Sequence, residues 1–154
     1  MAQKKILVVD DEEMIVDLCR RVLTNEGYDV QWSSSGKEAL KLASPGQFHL
    51  SVIDMLMPGM DGLETFLALK KQQPELLGVL ITGHGTMDTA IQAMELGFSG
   101  FTRKPFTPVE LVHVVNESFR KAVLFEENTR LKTLIPLYRL GEKFISLSRT
   151  TYNS

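Results

Sequence analysis

Short apolar runs recur along this chain, and each of them ends in polar or charged side chains. In chain order the runs and their endings are 6–9 before Asp10 and Asp11, 50–53 before Asp54, and 79–81 before Thr82. Runs of three or four apolar residues have the length of strands rather than of helices. If they form neighbouring parallel strands, their polar endings converge on one rim of one sheet.

The order of elements predicts an α/β fold. Residues 4 to about 106 alternate between strand-like runs and longer helical patterns, five times over, which indicates a doubly wound parallel sheet with helices on both faces. The three runs above are apolar on both alternating faces, as central parallel strands are. The segments at 28–32 and 99–103 are mixed and suit the edges. The simplest strand order is then 2-1-3-4-5, with the switch point beside the three aspartates.

The fourth helical segment is expected to bury one apolar face. In the fourth helical segment, which Thr86 opens, Met87, Ala90, Ile91 and Met94 recur at helical spacing, and we expect them to face inward.

The bulk composition excludes several classes of protein. The chain has 154 residues, 44% of them hydrophobic, and a formal charge of −2, so it has neither a basic footprint for nucleic acid nor a polybasic membrane patch. Cys19 is the only cysteine; its place on an apolar helical face predicts a buried packing thiol. The apolar run at the N-terminus is too short for a signal peptide or a membrane span. We therefore expect a cytoplasmic protein.

The rim predicts a site for a divalent metal and a phosphoryl group. Three crowded carboxylates raise one another's pKa unless a cation lies between them, and Mg²⁺ takes a few carboxylate oxygens together with waters and phosphate oxygens. Lys104 precedes Pro105, a place where a cis bond occurs, and is expected to aim its ammonium across the rim toward Asp54. Thr82 offers a hydroxyl to a phosphate oxygen. The alternative is a purely structural role, in which Asp10 and Asp11 only cap a helix while Asp54 begins a turn.

The motifs together resemble one family. The segments ILVVDDEE, VIDMLMPGMDG, ITGHG and RKPF, in this order over about residues 4–123, are similar to the receiver domain of two-component response regulators. The resemblance implies a flavodoxin-like fold of CheY type. It also implies transient phosphorylation of one aspartate by a sensor histidine kinase or a phosphotransfer protein. Such a domain is not an enzyme, although it assists its own phosphorylation and dephosphorylation.

The resemblance assigns the metal and phosphoryl ligands. It implies that Asp54 is the phosphoacceptor, that Asp11 binds Mg²⁺ directly and that Asp10 acts through water or as support. Leu56 would give the metal only its backbone carbonyl.

The resemblance also assigns the switch. Lys104 would pair with the phosphoryl group, Thr82 would be the switch hydroxyl, and Phe101 would be the aromatic that changes rotamer on activation. The new charge would then repack the surface formed by the fourth helix, the fifth strand and the fifth helix.

Two positions beside the site are less standard. Leu56 stands where many receivers have a polar side chain, and an apolar residue there cannot orient an attacking water, so we expect a longer phosphoryl lifetime. His84 is interpreted as a solvated loop residue rather than a general base.

The C-terminal region carries a helical pattern that continues beyond the end of the predicted receiver domain. A helical pattern begins at Pro108 and runs to about Ile135, with Pro136 following. We expect a receiver at 1–123 and a helical linker or signalling extension at 124–154, which either dimerises or leads towards an output domain. The seam that would form a homodimer consists of Leu124, Asn128, Leu131, Ile135 and Tyr138. The alternative is a terminal helix that folds back on its own domain.

Three other functions conflict with the residues at the predicted rim. An aspartate-nucleophile phosphatase needs a second acid two residues after its nucleophile, where this chain has Leu56. A flavodoxin-like FMN carrier needs a phosphate loop after its first strand, where the acidic run 10–13 would repel phosphate. A pseudo-receiver that only binds partners would have lost one of the key groups, and all are present.

Overall fold

A computed structural model describes residues 3–43, 47–83 and 85–145, with side chains described as far as Asn128. Five parallel strands form one sheet in the order β2-β1-β3-β4-β5, which confirms the predicted topology. The strands are β1 Lys5–Val9, β2 Asp29–Ser33, β3 Leu50–Asp54, β4 Leu77–Thr82 and β5 Gly100–Arg103. The helices are α1 Glu13–Asn25, α2 Gly36–Leu42, α3 Gly62–Gln72, α4 Met87–Glu95 and α5 Pro108–Ile145.

The sheet separates two apolar cores, one on each face. Alternate residues of the central strands face opposite sides, so Val9 and Ile53 join one cluster while Val8 and Val52 join the other. All four side chains are fully buried. Burial on both faces is what the unbroken apolar runs predicted for β1 and β3, and it fixes the sheet against sliding.

Local sequence signals determine where the helices near the rim begin. Asp61 Oδ1 accepts a hydrogen bond from the Glu64 backbone N–H at 2.8 Å, and the Glu64 side chain accepts one from the Asp61 N–H at 2.9 Å. Thr107 and Glu110 make the same reciprocal pair at the start of α5. These capping boxes satisfy helix-end N–H groups that would otherwise lack partners.

The inward face predicted for α4 is wrong. Met87, Ile91 and Met94 are exposed, and Ala93 is the buried residue of this helix. The apolar residues of α4 form two stripes, and helical periodicity alone does not decide which one faces the sheet. The helix lies against the edge strand β5, where the small alanine allows a close approach and the larger side chains are left outside.

Cys19 is fully buried in α1, as its position on the apolar face predicted. Burial, together with the nearby charge of Asp10, raises the pKa of the Cys19 thiol to about 12. The thiol therefore stays protonated and serves in packing.

The extended C-terminal helix is present, and it continues past Ile135 to Ile145. The chain divides into two compact units, 1–119 and 120–154; the assignment of 124–154 as a signalling extension stays a prediction. Of the predicted seam, Leu124 is half exposed, whereas the side chains of Leu131, Ile135 and Tyr138 lie outside the described residues, as does His84. In the described part of the chain, no helix is both long and apolar enough to cross a membrane.

Candidate phosphoryl and metal site

The carboxyl ends of the central strands bring the predicted side chains together. In the register of the sheet Val9 pairs with Ile53, and Asp54 pairs with Ile81 of β4. Asp54 is therefore the last residue of β3, and Asp10 follows directly after β1 at the same rim. Thr82 ends β4 in the same way.

Lys104 is the centre of the cluster. Its Nζ lies 2.5 Å from Glu12 Oε1, 3.0 Å from Asp10 Oδ2 and 3.4 Å from Asp54 Oδ1. The Lys104 backbone N–H donates to Thr82 O at 2.8 Å, which ties this residue to the end of β4, and the Lys104–Pro105 peptide bond is cis. The structure thus places the Lys104 ammonium beside the Asp54 carboxylate.

The neighbouring carboxylates stabilise the protonated form of Lys104. Burial works against the charged form of the ammonium, but the hydrogen bond to Glu12 and the negative charge of Asp10 outweigh it and raise the pKa of Lys104 above its ordinary value. The group is therefore a permanent cation, and its side chain is only 13% exposed.

Asp54 is a buried carboxylate whose charged form is disfavoured by its surroundings. Its residue is 4% exposed, and burial, followed by the charge of Asp10, raises the pKa of Asp54 to about 6; the Lys104 ammonium acts in the opposite direction. At neutral pH the group is mainly ionised, and it carries a negative charge that its surroundings only partly compensate.

The backbone beside Asp54 is held by α3. The Gly62 N–H donates to Met55 O at 2.8 Å, and a Cβ built on Gly62 would lie 2.3 Å from Asp54 O. Only a glycine allows this approach, so the start of α3 and its capping box fix the strand end that carries the carboxylate.

Asp10 is fully buried at the rim. Its Oδ1 accepts a hydrogen bond from the Glu12 backbone N–H at 2.8 Å. Its Oδ2 lies 3.0 Å from Lys104 Nζ, but not in a direction that makes a hydrogen bond, so this oxygen accepts none from the described residues. Burial raises the pKa of Asp10, against the effect of the Glu12 N–H.

The donor set fits a hard divalent cation. One carboxylate oxygen from each of Asp10, Glu12 and Asp54 lies within 4.8 Å of the others, and the buried Oδ2 of Asp10 lacks a hydrogen bond. Oxygen ligands of this kind suit Mg²⁺. Asp11 is exposed, and its charge helps to raise the pKa of Asp54. Its role as a direct ligand, and that of the Leu56 carbonyl, stay predictions.

The two predicted switch residues approach the same small residue. Thr82 is buried and Phe101 is partly buried against the core. A Cβ built on Gly85 would lie 2.7 Å from the Thr82 methyl carbon and 2.6 Å from Phe101 Cζ. The absence of a side chain on Gly85 therefore leaves room for both groups at the rim.

Sequence reasoning missed Glu12. It counted this residue only as one member of an acidic run, although its side chain makes the shortest contact to Lys104. Glu12 stands two residues beyond Asp10, immediately before α1, and that spacing was the available signal.

A family model described as the response regulator receiver domain matches residues 6–116 of this chain. Among curated proteins, a putative NtrX-like response regulator of Rickettsia conorii is 33% identical over 137 residues, which cover 88% of this chain and 29% of that protein. The alkaline phosphatase synthesis transcriptional regulatory protein PhoP of Bacillus subtilis is 36% identical over 129 residues, or 84% of this chain and 54% of PhoP. The chain thus spans only part of the length of these relatives.

Solved structures agree with the fold. The crystal structure of NtrX from Brucella abortus superimposes with a TM-score of 0.77 at 34% identity, covering 85% of this chain and 30% of NtrX. The solution structure of the beryllofluoride-activated NtrC4 receiver domain dimer gives a TM-score of 0.73 at 33% identity, covering 78% of this chain and 99% of that one.

Replacing Asp54 with Asn is expected to stabilise the protein at neutral pH in the absence of divalent cations. A carboxyl whose pKa is raised to about 6 on folding binds its proton more tightly in the folded state. Its contribution is favourable below about pH 4 and is lost as the pH rises through about 6. Two pKa units correspond to about 3 kcal/mol at most, so we expect a gain of about 1 to 3 kcal/mol in the free energy of unfolding at pH 7.5.

Urea denaturation at pH 4.5 and 7.5 in EDTA measures this difference, which should shrink at the lower pH. Asp17→Asn is the matched control, because Asp17 is an exposed acid paired with exposed Arg20 and its ion pair contributes little. An Asp54→Asn protein no more stable than the wild type at pH 7.5 would contradict the description of the site.

Proposed function

The chain belongs to the response regulator receiver domain family, and from that membership we propose that Asp54 accepts a phosphoryl group from a sensor histidine kinase or a phosphotransfer protein. The observation that carries the proposal is the contact of the Lys104 ammonium with the Asp54 carboxylate at 3.4 Å, beside buried Asp10. A cation and an anionic nucleophile at one rim are what a transferring phosphoryl group requires.

Asp54 is the nucleophile in this proposal. One of its carboxylate oxygens attacks the phosphorus of the donor's phosphohistidine, a P–O bond forms, the P–N bond breaks, and the imidazole leaves with the electron pair. The product is an acyl phosphate. A carboxylate is a weak nucleophile, so the contribution of the chain is to hold it in line with the donor.

The other site residues compensate charge. The Lys104 ammonium offsets the negative charge of the transferring group, and the Thr82 hydroxyl donates to one of its oxygens. Asp10, Asp11, Asp54 and the Leu56 carbonyl would hold Mg²⁺, which would supply further positive charge beside the transferring group. The domain thereby assists its own modification, and no separate substrate is turned over.

The signal leaves the site through Thr82 and Phe101. Both lie against Gly85, so a movement of Thr82 toward the phosphoryl group frees space that the Phe101 ring can enter. Phe101 lies on β5, which α4 contacts, and Met87 and Ile91 of α4 are exposed. A change in local charge becomes a change in the surface of α4, β5 and α5.

We assign residues 124–154 to a signalling extension that joins two copies of the chain or leads to an output domain. Receiver dimers exist among related structures, as the NtrC4 domain shows for itself. Direct nucleic acid contact and membrane binding are not part of this proposal, since the net charge of the chain is −2. The single cysteine agrees with a cytoplasmic protein.

Incubation with acetyl phosphate and Mg²⁺ tests the proposal. The intact mass of the wild-type chain should increase by one phosphoryl group, the increase should disappear in EDTA, and Asp54→Ala should not be modified. Asp17→Ala, which removes an exposed acid that pairs with Arg20 on α1, should be modified like the wild type. A wild-type chain that is not modified, or modification that persists in Asp54→Ala, would refute the proposal.

Replacing Leu56 with Asn should shorten the lifetime of the acyl phosphate. Leu56 stands two residues after Asp54, and its side chain is 55% exposed, so it borders the route by which water reaches the phosphorus. An amide there hydrogen-bonds and orients that water, and an alkyl chain does not. Decay of the phosphorylated protein, followed by mass spectrometry, should be several-fold faster, on the order of 2- to 10-fold.

Leu67→Asn is the matched control for this substitution. Leu67 is also an exposed leucine, 43% accessible, but it lies on α3 away from the rim. Its replacement should leave the decay rate unchanged. An unchanged or slower decay in Leu56→Asn would end the hypothesis.

A further inference from the structure

The ammonium of Lys104 has more carboxylate partners than the proposed phosphoryl transfer to Asp54 requires. It carries three N–H donors, and among the described residues three carboxylates lie within 3.4 Å of it. The shortest contact, 2.5 Å, is to Glu12. Asp10 and Asp54 have roles in the proposed transfer, whereas Glu12 has so far been described only as a member of the carboxylate donor set.

The Glu12 side chain does not serve the helix that it precedes. Glu12 occupies the N-cap position of α1, where Ser, Thr, Asp or Asn usually accepts a hydrogen bond from the first turn. Within the described structure its side chain makes no such capping bond. Its backbone has the structural role instead: the N–H donates to Asp10 Oδ1, and the carbonyl accepts from Val16 N–H. The carboxylate is thus free of helix capping and reaches across the rim to Lys104.

The three partners of Lys104 differ in how easily they can leave. The side chains of Asp10 and Asp54 are 0% and 6% exposed, while the Glu12 side chain is 60% exposed. A buried carboxylate that loses its cation is left as an uncompensated charge out of contact with water, which costs much free energy. An exposed carboxylate that loses its cation is hydrated instead. When a phosphoryl group on Asp54 needs a donor from Lys104, the Glu12 carboxylate is the partner that can be released at least cost.

We propose that Glu12 is a positioning residue that acts as a latch, holding the Lys104 ammonium in the unmodified protein and giving it up when a phosphoryl group occupies Asp54. The inference rests on the proposed function, because it concerns the same site. Phosphoryl oxygens then compete with Glu12 for Lys104. The latch therefore weakens the binding of a phosphoryl group or its mimic, and it slows phosphorylation by small donors that bring no surface of their own to displace it.

The binding of beryllofluoride, a phosphoryl mimic, tests the latch without relying on turnover. Titration calorimetry with saturating MgCl₂ compares the wild type with Glu12→Gln and Glu12→Ala. Loss of a partly exposed ion-pair partner should tighten beryllofluoride binding about twofold to fivefold in both variants. Glu13→Gln is the matched control: it removes the same charge one residue further along, from an exposed side chain outside the set of Lys104 partners given above. Its affinity should equal that of the wild type.

A crystal structure of the wild-type beryllofluoride complex supplies the second readout. The distance from Glu12 Oε1 to Lys104 Nζ should exceed 4 Å, with the ammonium turned to a fluoride. Equal affinity in the wild type and the Glu12 variants, equal tightening in Glu13→Gln, or a retained Glu12–Lys104 contact would each overturn the latch while leaving the phosphoacceptor role of Asp54 intact. A wild-type chain that binds no beryllofluoride would overturn both.

Discussion

Three carboxylates share one ammonium at the rim of the sheet, and the rest of the site depends on that sharing. Lys104 lies within 3.4 Å of oxygens from Asp10, Glu12 and Asp54. Two of these acids are buried, and like charges in a medium of low dielectric oppose one another's ionisation. Burial, followed by the charge of Asp10, raises the pKa of Asp54 to about 6 in spite of the single cation. This excess negative charge is the physical basis for both metal binding and reaction with phosphorus.

The fold holds this unfavourable arrangement in place. The central strands are buried on both faces, so their register is fixed by two cores at once. Gly62 brings the start of α3 against the Asp54 backbone, and the Lys104 N–H bonds to the end of β4. The strand ends, the start of α3 and the residue that carries the ammonium are thereby held together by backbone contacts that do not involve the charged atoms. The stability of the two cores offsets the unfavourable crowding of like charges at the rim.

The parts of the site that lie on strand ends could be predicted from the sequence. Asp54 and Thr82 end apolar runs, and the side chains at the ends of neighbouring parallel strands share one rim whatever their rotamers. Glu12 lies beyond the end of its strand, where the direction of a long side chain depends on contacts that no periodicity encodes. The orientation of α4 was missed for a related reason: Ile91 and Ala93 lie on different apolar stripes of one helix. Only the packing of the small residue against β5 decides between them.

Mg²⁺ affinity tests most directly whether the carboxylates act as one charged cluster. Titration calorimetry of the wild type at pH 7.5 should show one site. Asp10→Asn and Asp54→Asn should each weaken its affinity by about tenfold or more, because each removes a buried oxygen ligand or its charge. Asp17→Asn, which removes an exposed acid on α1, should bind like the wild type. Equal Mg²⁺ affinity in all four proteins would show that Asp10 and Asp54 do not form the cation site, and would contradict the account.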